Sequence, residues 1–83
     1  MSAAPATNEV LVDARWLEPP EPMERVLAAL ELLRPGGQIR FLIHRDPQPL
    51  YTILNDAGYP YQVEAMADGC YQLVIRREKK HNA

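Results

Sequence analysis

The 83-residue sequence has little of what several kinds of functional site require. It contains one cysteine, Cys70, which excludes an internal disulfide. Its longest nearly apolar run, VLAALELL at residues 26–33, is interrupted by Glu31 and is far too short to span a membrane. Nine Lys and Arg residues against eleven Asp and Glu residues give a net charge of −2, which argues against a strong phosphate-binding field.

The length predicts a single domain with a thin core, so we expect any site to be an edge, a groove or a partner interface. The first residues, MSAAPATNE, lack the basic and apolar regions of a secretion signal. Together with the lone cysteine, this predicts a cytoplasmic protein. We expect a disordered tail over 1–8, the domain over 9–77 and a charged tail over 78–83.

Hydrophobic periodicity predicts the order strand, helix, strand, helix, strand, strand. The strands are expected at 10–12, 38–44, 59–66 and 70–77, and the second helix at 47–57, ending at Gly58. The first helix carries one apolar stripe with helical spacing, formed by Met23, Val26, Leu27, Leu30 and Leu33. Pro35-Gly36-Gly37 ends this helix, and Asp68-Gly69 is typical of a hairpin turn.

Right-handed crossovers would place both helices on one face of a four-stranded mixed sheet. The predicted fold is therefore an α+β two-layer sandwich with β-α-β-α-β-β order. The other sheet face, here called the open face, would carry Arg40, Leu42, His44, Gln62, Glu64, Gln72, Val74 and Arg76. Leu42 and Val74 could seed a homodimer through this face; the alternative is an ordinary solvated surface.

Prolines mark the start of both helices. Pro20 is expected as the first helical residue and Pro22 in the first turn, where a missing N–H costs no hydrogen bond. Pro47 and Pro49 repeat the pattern before the second helix. Asp46 precedes this second pair, and we expect its carboxylate to cap the helix.

The segment Leu17-x-x-Pro20-x-Pro22 lies between a strand and an amphipathic helix, and it resembles the Cys-Pro-x-Pro motif of the TusA/SirA-like sulfur carriers. The order of elements matches that superfamily from about residue 10 to 77. The Pro-Pro-Glu-Pro and Asp-Pro-x-Pro-Leu-Tyr segments are similar to an uncharacterised bacterial branch, domain of unknown function 2249. The resemblance implies a fourth strand between the second and third, antiparallel to both.

The departure from the motif bears directly on function. Where the carriers have cysteine, this chain has Pro19, which carries no nucleophile. Sulfur carriage by the family mechanism therefore does not transfer to this position. The implied strand order brings Cys70 close to His44, with both on the open face. This pair is the candidate catalytic site, because a histidine can lower the pKa of a thiol; the alternative is an inert cysteine.

A metal site is not expected. His44, Asp46 and Cys70 lie near one edge but lack the tight spacing of a ligand set, and His81 falls in the predicted tail. No cofactor is predicted. The basic run RREKK at 76–80 is interpreted as a solvated strand end, so nucleic acid is not an expected partner.

The edge where both helices start is the candidate binding surface. Arg15, Trp16 and Arg45 could contact a protein partner, since Trp and Arg are enriched at binding hot spots. The remaining candidates at this edge are Glu18, Pro19, Pro20, Glu21, Pro22 and Asp46. The helix N-termini could instead hold a small anion. The alternative for Trp16 is a lid over the core.

We expect a non-catalytic protein-interaction module. Relatives of the branch that it resembles stand alone or are joined to haemerythrin-like or cupin domains, which implies an accessory role in redox or respiratory nitrogen metabolism. The alternatives are a sulfur carrier or redox sensor that uses Cys70, and a small-anion binder at the helix N-termini.

Overall fold

A computed structural model describes residues 9–78, and it confirms the predicted order of elements with bounds that shift by at most two residues. The elements are β1 (Glu9–Asp13), α1 (Glu21–Leu32), β2 (Gln38–Ile43), α2 (Gln48–Ala57), β3 (Tyr61–Ala65) and β4 (Tyr71–Arg76). The predicted tail over 1–8 lies outside the described residues, as do residues 79–83 of the predicted C-terminal tail.

The four strands form one mixed sheet in the order β1-β2-β4-β3. β1 pairs with β2 in parallel, and β4 is antiparallel to both β2 and β3. This confirms the strand order implied by the TusA-like resemblance. Ile43 pairs with Tyr71, so the end of β2 and the start of β4 lie side by side.

The core lies between the sheet and the two helices. Alternation along β2 and β4 sends one set of side chains towards the helices, and these are buried: Ile39, Phe41, Ile43, Leu73 and Ile75. They pack in one cluster with Val26 and Leu30 of α1 and with Leu50 and Leu54 of α2. Because both helices contact the same side of the sheet, the other face is open, as predicted.

Both helices begin one residue later than the proline pattern predicts. Pro20 and Pro47 are the residues that precede the helices, and no side chain of residues 9–78 caps either N-terminus. The prediction that Asp46 caps α2 is wrong. With Pro47 as the cap residue, Asp46 lies one position too early, and Pro49 has no N–H where a capping side chain would bind.

Asp46 instead organises side chains at this helix start. Its carboxylate accepts hydrogen bonds from Gln48 Nε2 at 2.7 Å and from the Tyr51 hydroxyl at 2.5 Å. Burial raises the pKa of Tyr51 well above its usual range, and the hydrogen bond to Asp46 raises it further. Tyr51 is thereby tied to the loop before α2, while its ring stacks on Tyr61 at 5.4 Å.

Two glycines make the connections around β3. Gly58 ends α2 in the left-handed conformation, with φ of 82°, and Tyr59 N–H then reaches back to the carbonyl of Leu54 at 2.9 Å. Gly69, with φ of 88°, closes the turn between β3 and β4, where Met66 N–H donates to the carbonyl of Cys70 at 2.8 Å. Gly58 matches the predicted end of the second helix, and Gly69 matches the predicted hairpin turn.

The open face carries a polar network that crosses all four strands. Arg40 on β2 pairs with Glu9 on β1 at 2.9 Å and donates to Gln72 on β4 at 3.2 Å. Gln72 in turn lies 3.5 Å from Glu64 on β3. Dehydrating these groups would cost free energy, so the network favours a solvated face. The homodimer predicted through Leu42 and Val74 stays a prediction.

We expect Leu54→Ala to lower the free energy of unfolding by about 2–5 kcal/mol, because Leu54 is fully buried and its truncation leaves a cavity. Leu32→Ala is the matched control, since Leu32 lies on the other helix and is 83% exposed. It should change stability by no more than about 0.5 kcal/mol. Urea unfolding of both variants measures the difference, and equal losses would contradict the proposed core.

Candidate functional site

A cavity of about 350 Å³ opens between the starts of the two helices, above the end of β2. We call this region the helix-start edge and define it by residues 13–23 and 43–50. Its floor is apolar and comes from the core residues Val26, Phe41, Ile43 and Leu50. Pockets that bind small ligands or partner side chains have this size and character.

All five prolines of the two helix starts line this cavity: Pro19, Pro20, Pro22, Pro47 and Pro49. Leu17 and Met23 complete its apolar wall, and His44, Arg45 and Asp46 provide its polar groups. Six of the predicted candidates therefore meet here: Pro19, Pro20, Pro22, His44, Arg45 and Asp46. The prolines contribute rigid apolar surface as well as helix starts.

Trp16 does not line this cavity itself, but it directly precedes the lining residue Leu17 and is 71% exposed. Its backbone N–H donates to His44 Nδ1 at 2.8 Å, and the two rings stack with centroids 5.0 Å apart. Its φ is 68°, which is uncommon for a bulky residue. The alternative that Trp16 is a lid over the core is wrong, because a lid would be buried; Trp16 is an exposed ring held in a defined place.

His44 acts on Trp16 and not on Cys70. Since His44 Nδ1 accepts the N–H of Trp16, the neutral imidazole carries its proton on Nε2. Strand pairing does place His44 and Cys70 at the same end of β2 and β4. Within residues 9–78, however, no hydrogen bond joins the two side chains.

Arg15 connects the end of β1 to the turn before β4. Its guanidinium donates two hydrogen bonds to the Asp13 carboxylate, at 2.9 and 2.8 Å, and its backbone N–H donates a third at 3.2 Å. These bonds lower the pKa of Asp13 to about 2. Arg15 also lies 3.9 Å from Asp68. Because β2 separates β1 from β4, the Arg15 side chain passes over the end of β2 and is less available to a partner than predicted.

Cys70 is 2% exposed and lies outside the main core cluster. Burial raises the pKa of its thiol, and the carboxylate of Asp68 raises it further. The hypothesis of a reactive Cys70 and His44 pair required the opposite direction, a pKa lowered by His44. A buried thiol next to a carboxylate favours the protonated form, which is the poorer nucleophile.

At the start of α2, the backbone N–H groups that an anion would need are already hydrogen-bonded. Gln48 N–H donates to the carbonyl of Asp46 at 2.9 Å, and Leu50 N–H donates to that of Pro47 at 3.0 Å. Pro49, between them, has no N–H. At α1 the carboxylates of Glu21 and Glu24 lie in the first turn and would repel an anion.

The other two predicted candidates border a separate shallow hollow on α1, where Glu18 and Glu21 lie beside Pro19 and Pro20. Glu21 is held by Arg25, one turn later, at 2.9 Å. Among residues 9–78, no group of three His, Cys, Asp or Glu side chains could hold a metal ion. Over the same residues, neither helix is long and apolar enough to cross a membrane.

Sequence reasoning assigned eight of the cavity residues to no site: the four core residues of its floor, and Leu17, Met23, Pro47 and Pro49. The repeated Pro-x-Pro pattern was a signal for the last two, because equivalent helix starts at one end of a sheet face each other. Asp68 was interpreted only as a turn residue. Its effect on Cys70 is local, because the Asp68 carboxylate accepts the N–H of Cys70 two residues later, so the Asp-Gly-Cys spacing was a signal that sequence reasoning missed.

Comparison with known proteins identifies relatives but assigns no activity. The crystal structure of a SirA-like protein from Desulfitobacterium hafniense matches with a TM-score of 0.73 and 25% sequence identity. The match covers 84% of this chain and 99% of the other. A comparison with curated proteins finds no match. The family model described as "Uncharacterized conserved protein (DUF2249)" matches residues 11–77. The chain therefore belongs to the DUF2249 family and has a TusA/SirA-like fold.

Proposed function

We propose that this chain is a non-catalytic recognition module that binds a partner protein at the helix-start edge. The observation that carries the proposal is Trp16, an exposed aromatic ring fixed beside an apolar cavity. Tryptophan is the residue type most enriched at binding hot spots. An exposed ring that is already held in place loses little conformational freedom when a partner covers it.

The local backbone supports this role. A positive φ at a bulky residue costs on the order of 1–3 kcal/mol, and such conformations cluster at functional sites. The bond from Trp16 N–H to His44 offsets part of that cost. The chain thus maintains an unfavourable conformation whose structural consequence is an exposed aromatic ring.

The cavity supports a partner that inserts an apolar side chain. Its floor and walls are apolar, and the prolines that line it lose no side-chain freedom on binding. Arg45 is exposed at its rim and forms no ion pair among residues 9–78. Arg45 therefore favours a partner with a carboxylate next to the inserted side chain.

The chemistry of the site supports binding over catalysis. In our interpretation Pro19 stands where sulfur carriers have their cysteine, and Cys70 is buried with a raised pKa. The resemblance to the DUF2249 branch supports an accessory role in redox or respiratory nitrogen metabolism, in the cytoplasm. No reaction is assigned to the chain in this proposal.

We expect Trp16→Ala to weaken binding of a captured partner at least about 10-fold, since hot-spot truncations cost more than ~1.4 kcal/mol. The protein is first used to capture proteins from a native lysate, and each captured protein is then titrated in purified form. Trp16 is the sole tryptophan, so its emission should shift to the blue as the ring is covered.

Leu32→Ala is the control for this titration, because it removes another exposed apolar side chain from the far end of α1. It should bind as tightly as the wild type. Partners that bind Trp16→Ala and the wild type equally, with no change in emission, would contradict the helix-start edge as the binding surface. Thermal unfolding of each variant checks that the fold is intact.

The same proposal predicts that the thiol of Cys70 reacts slowly with alkylating reagents. Alkylation of Cys70 in the native protein should be much slower at neutral pH than in urea, because both burial and a raised pKa disfavour the thiolate. The rate should rise only at pH values above the ordinary range of a cysteine. A native rate that equals or exceeds the unfolded rate would instead favour the thiol carrier or sensor.

Asp68→Asn tests the electrostatic part of this prediction. The amide oxygen can still accept the Cys70 N–H, which donates to the Asp68 carboxylate at 3.0 Å, but the negative charge is gone. The pH midpoint of alkylation should fall in this variant, since Asp68 raises the pKa of Cys70. An unchanged midpoint would mean that burial alone sets the pKa.

A further inference from the structure

Among residues 9–78, no strand pairs with the outer edge of β3, and the hydrogen-bonding groups of this edge can be assigned. Arg76 N–H donates to the carbonyl of Pro60 at 2.9 Å, and Met66 N–H donates to that of Cys70 at 2.8 Å. In an antiparallel pair, bonded positions alternate. The even-numbered residues of β3 therefore point their N–H and C=O groups at β4. Tyr61, Val63 and Ala65 point theirs outward, to the edge of the sheet.

The helix layer does not cover this edge. Val63 and Ala65 lie on the helix-covered face of the sheet, because they pair with Leu73 and Tyr71, which lie on that face. Val63 is nevertheless 44% exposed, and Ala65 is exposed as well. Only Tyr61 is partly covered, by the ring of Tyr51. The outer half of β3 thus offers both an apolar side and free backbone groups.

We propose that β3 pairs antiparallel with β3 of a second copy, centred on Val63. In that register Val63 faces Val63 of the second copy, and Tyr61 faces Ala65. Each of these is a bonded pair, so every outward N–H and C=O of the strand finds a partner. The proposal is independent of the helix-start edge.

The side chains of β3 are self-complementary in this register. The largest side chain, Tyr61, meets the smallest, Ala65, which leaves space for the ring. On the open face, Gln62 meets Glu64 of the second copy, an amide next to a carboxylate with no like charges opposed. The interface has two-fold symmetry, as expected for a homodimer.

Strand β1, at the opposite edge of the sheet, is not self-complementary in this way. If β1 paired with itself about Leu11, Glu9 would face Asp13 of the second copy on both sides of the axis, and like charges directly opposite are destabilising. Charged residues on an edge strand are a common protection against such pairing. The sole charge on β3 is Glu64, which the proposed register places beside an amide.

Sedimentation equilibrium at millimolar protein tests the proposal. The wild type should have twice the monomer mass of 9.4 kDa. Val63→Lys should remain a monomer, because it places two charges face to face at the centre of the interface. Val63 is already half exposed, so the monomer should tolerate the substitution.

Two control variants locate the interface. Val10→Lys changes a valine of equal exposure, 43%, on the β1 edge, and Leu11→Lys places a charge on the open face. Both should keep the doubled mass. The proposal is overturned by a monomeric wild type, by a dimeric Val63→Lys, or by loss of the dimer in Leu11→Lys alone, which would indicate association through the open face.

Oxidative crosslinking tests the register in a Cys70→Ala background. Val63→Cys should form a disulfide-linked dimer, because bonded antiparallel partners lie about 5.5 Å apart at Cα, within the range of a disulfide. Ala65→Cys should not, since Ala65 faces Tyr61 of the second copy. Equal crosslinking of the two variants would refute the register centred on Val63.

Discussion

The pairing of β2 with both β1 and β4 is the constraint on which the rest of the structure depends. Side chains alternate along β2, so Phe41 and Ile43 are buried under the helices. Arg40 points to the other side, where it joins the polar network of the open face. The same strand ends at the helix-start edge. His44 is placed there by the register of β2, and it positions Trp16 through a backbone hydrogen bond. A register shift of one residue would reverse every one of these placements.

The prolines show how one sequence feature serves folding and recognition together. A helix that starts directly after a strand has N–H groups without partners, and proline removes some of them. The same rings line the cavity, where they add apolar surface that needs no ordering on binding. Removing these donors also leaves fewer N–H groups at the helix N-termini for an anion. The way in which the helices begin therefore favours an apolar ligand group.

Local patterns predicted the elements well, because helix stripes, Pro-Gly stops and the Asp-Gly turn depend on neighbouring residues. The strand order came from resemblance, since it depends on which strands pair at long range. The Asp46 cap failed because a one-residue shift in the helix start moves the carboxylate out of reach. The raised pKa of Cys70 depends first on burial, which long-range packing sets and spacing along the chain does not predict. The second cause, Asp68, lies only two residues away and could have been recognised from the sequence.

The two proposed surfaces are separate: the helix-start edge lies at the ends of β1 and β2, and the pairing edge is the outer side of β3. Trp16 follows β1, the outer strand at one side, while β3 is the outer strand at the other. A dimer joined through β3 would therefore leave both helix-start edges uncovered. A partner with two docking segments of suitable spacing would bind such a dimer through both sites, with an avidity well above the affinity of either. This arrangement would compensate for the limited apolar contact that the cavity at one helix-start edge can provide.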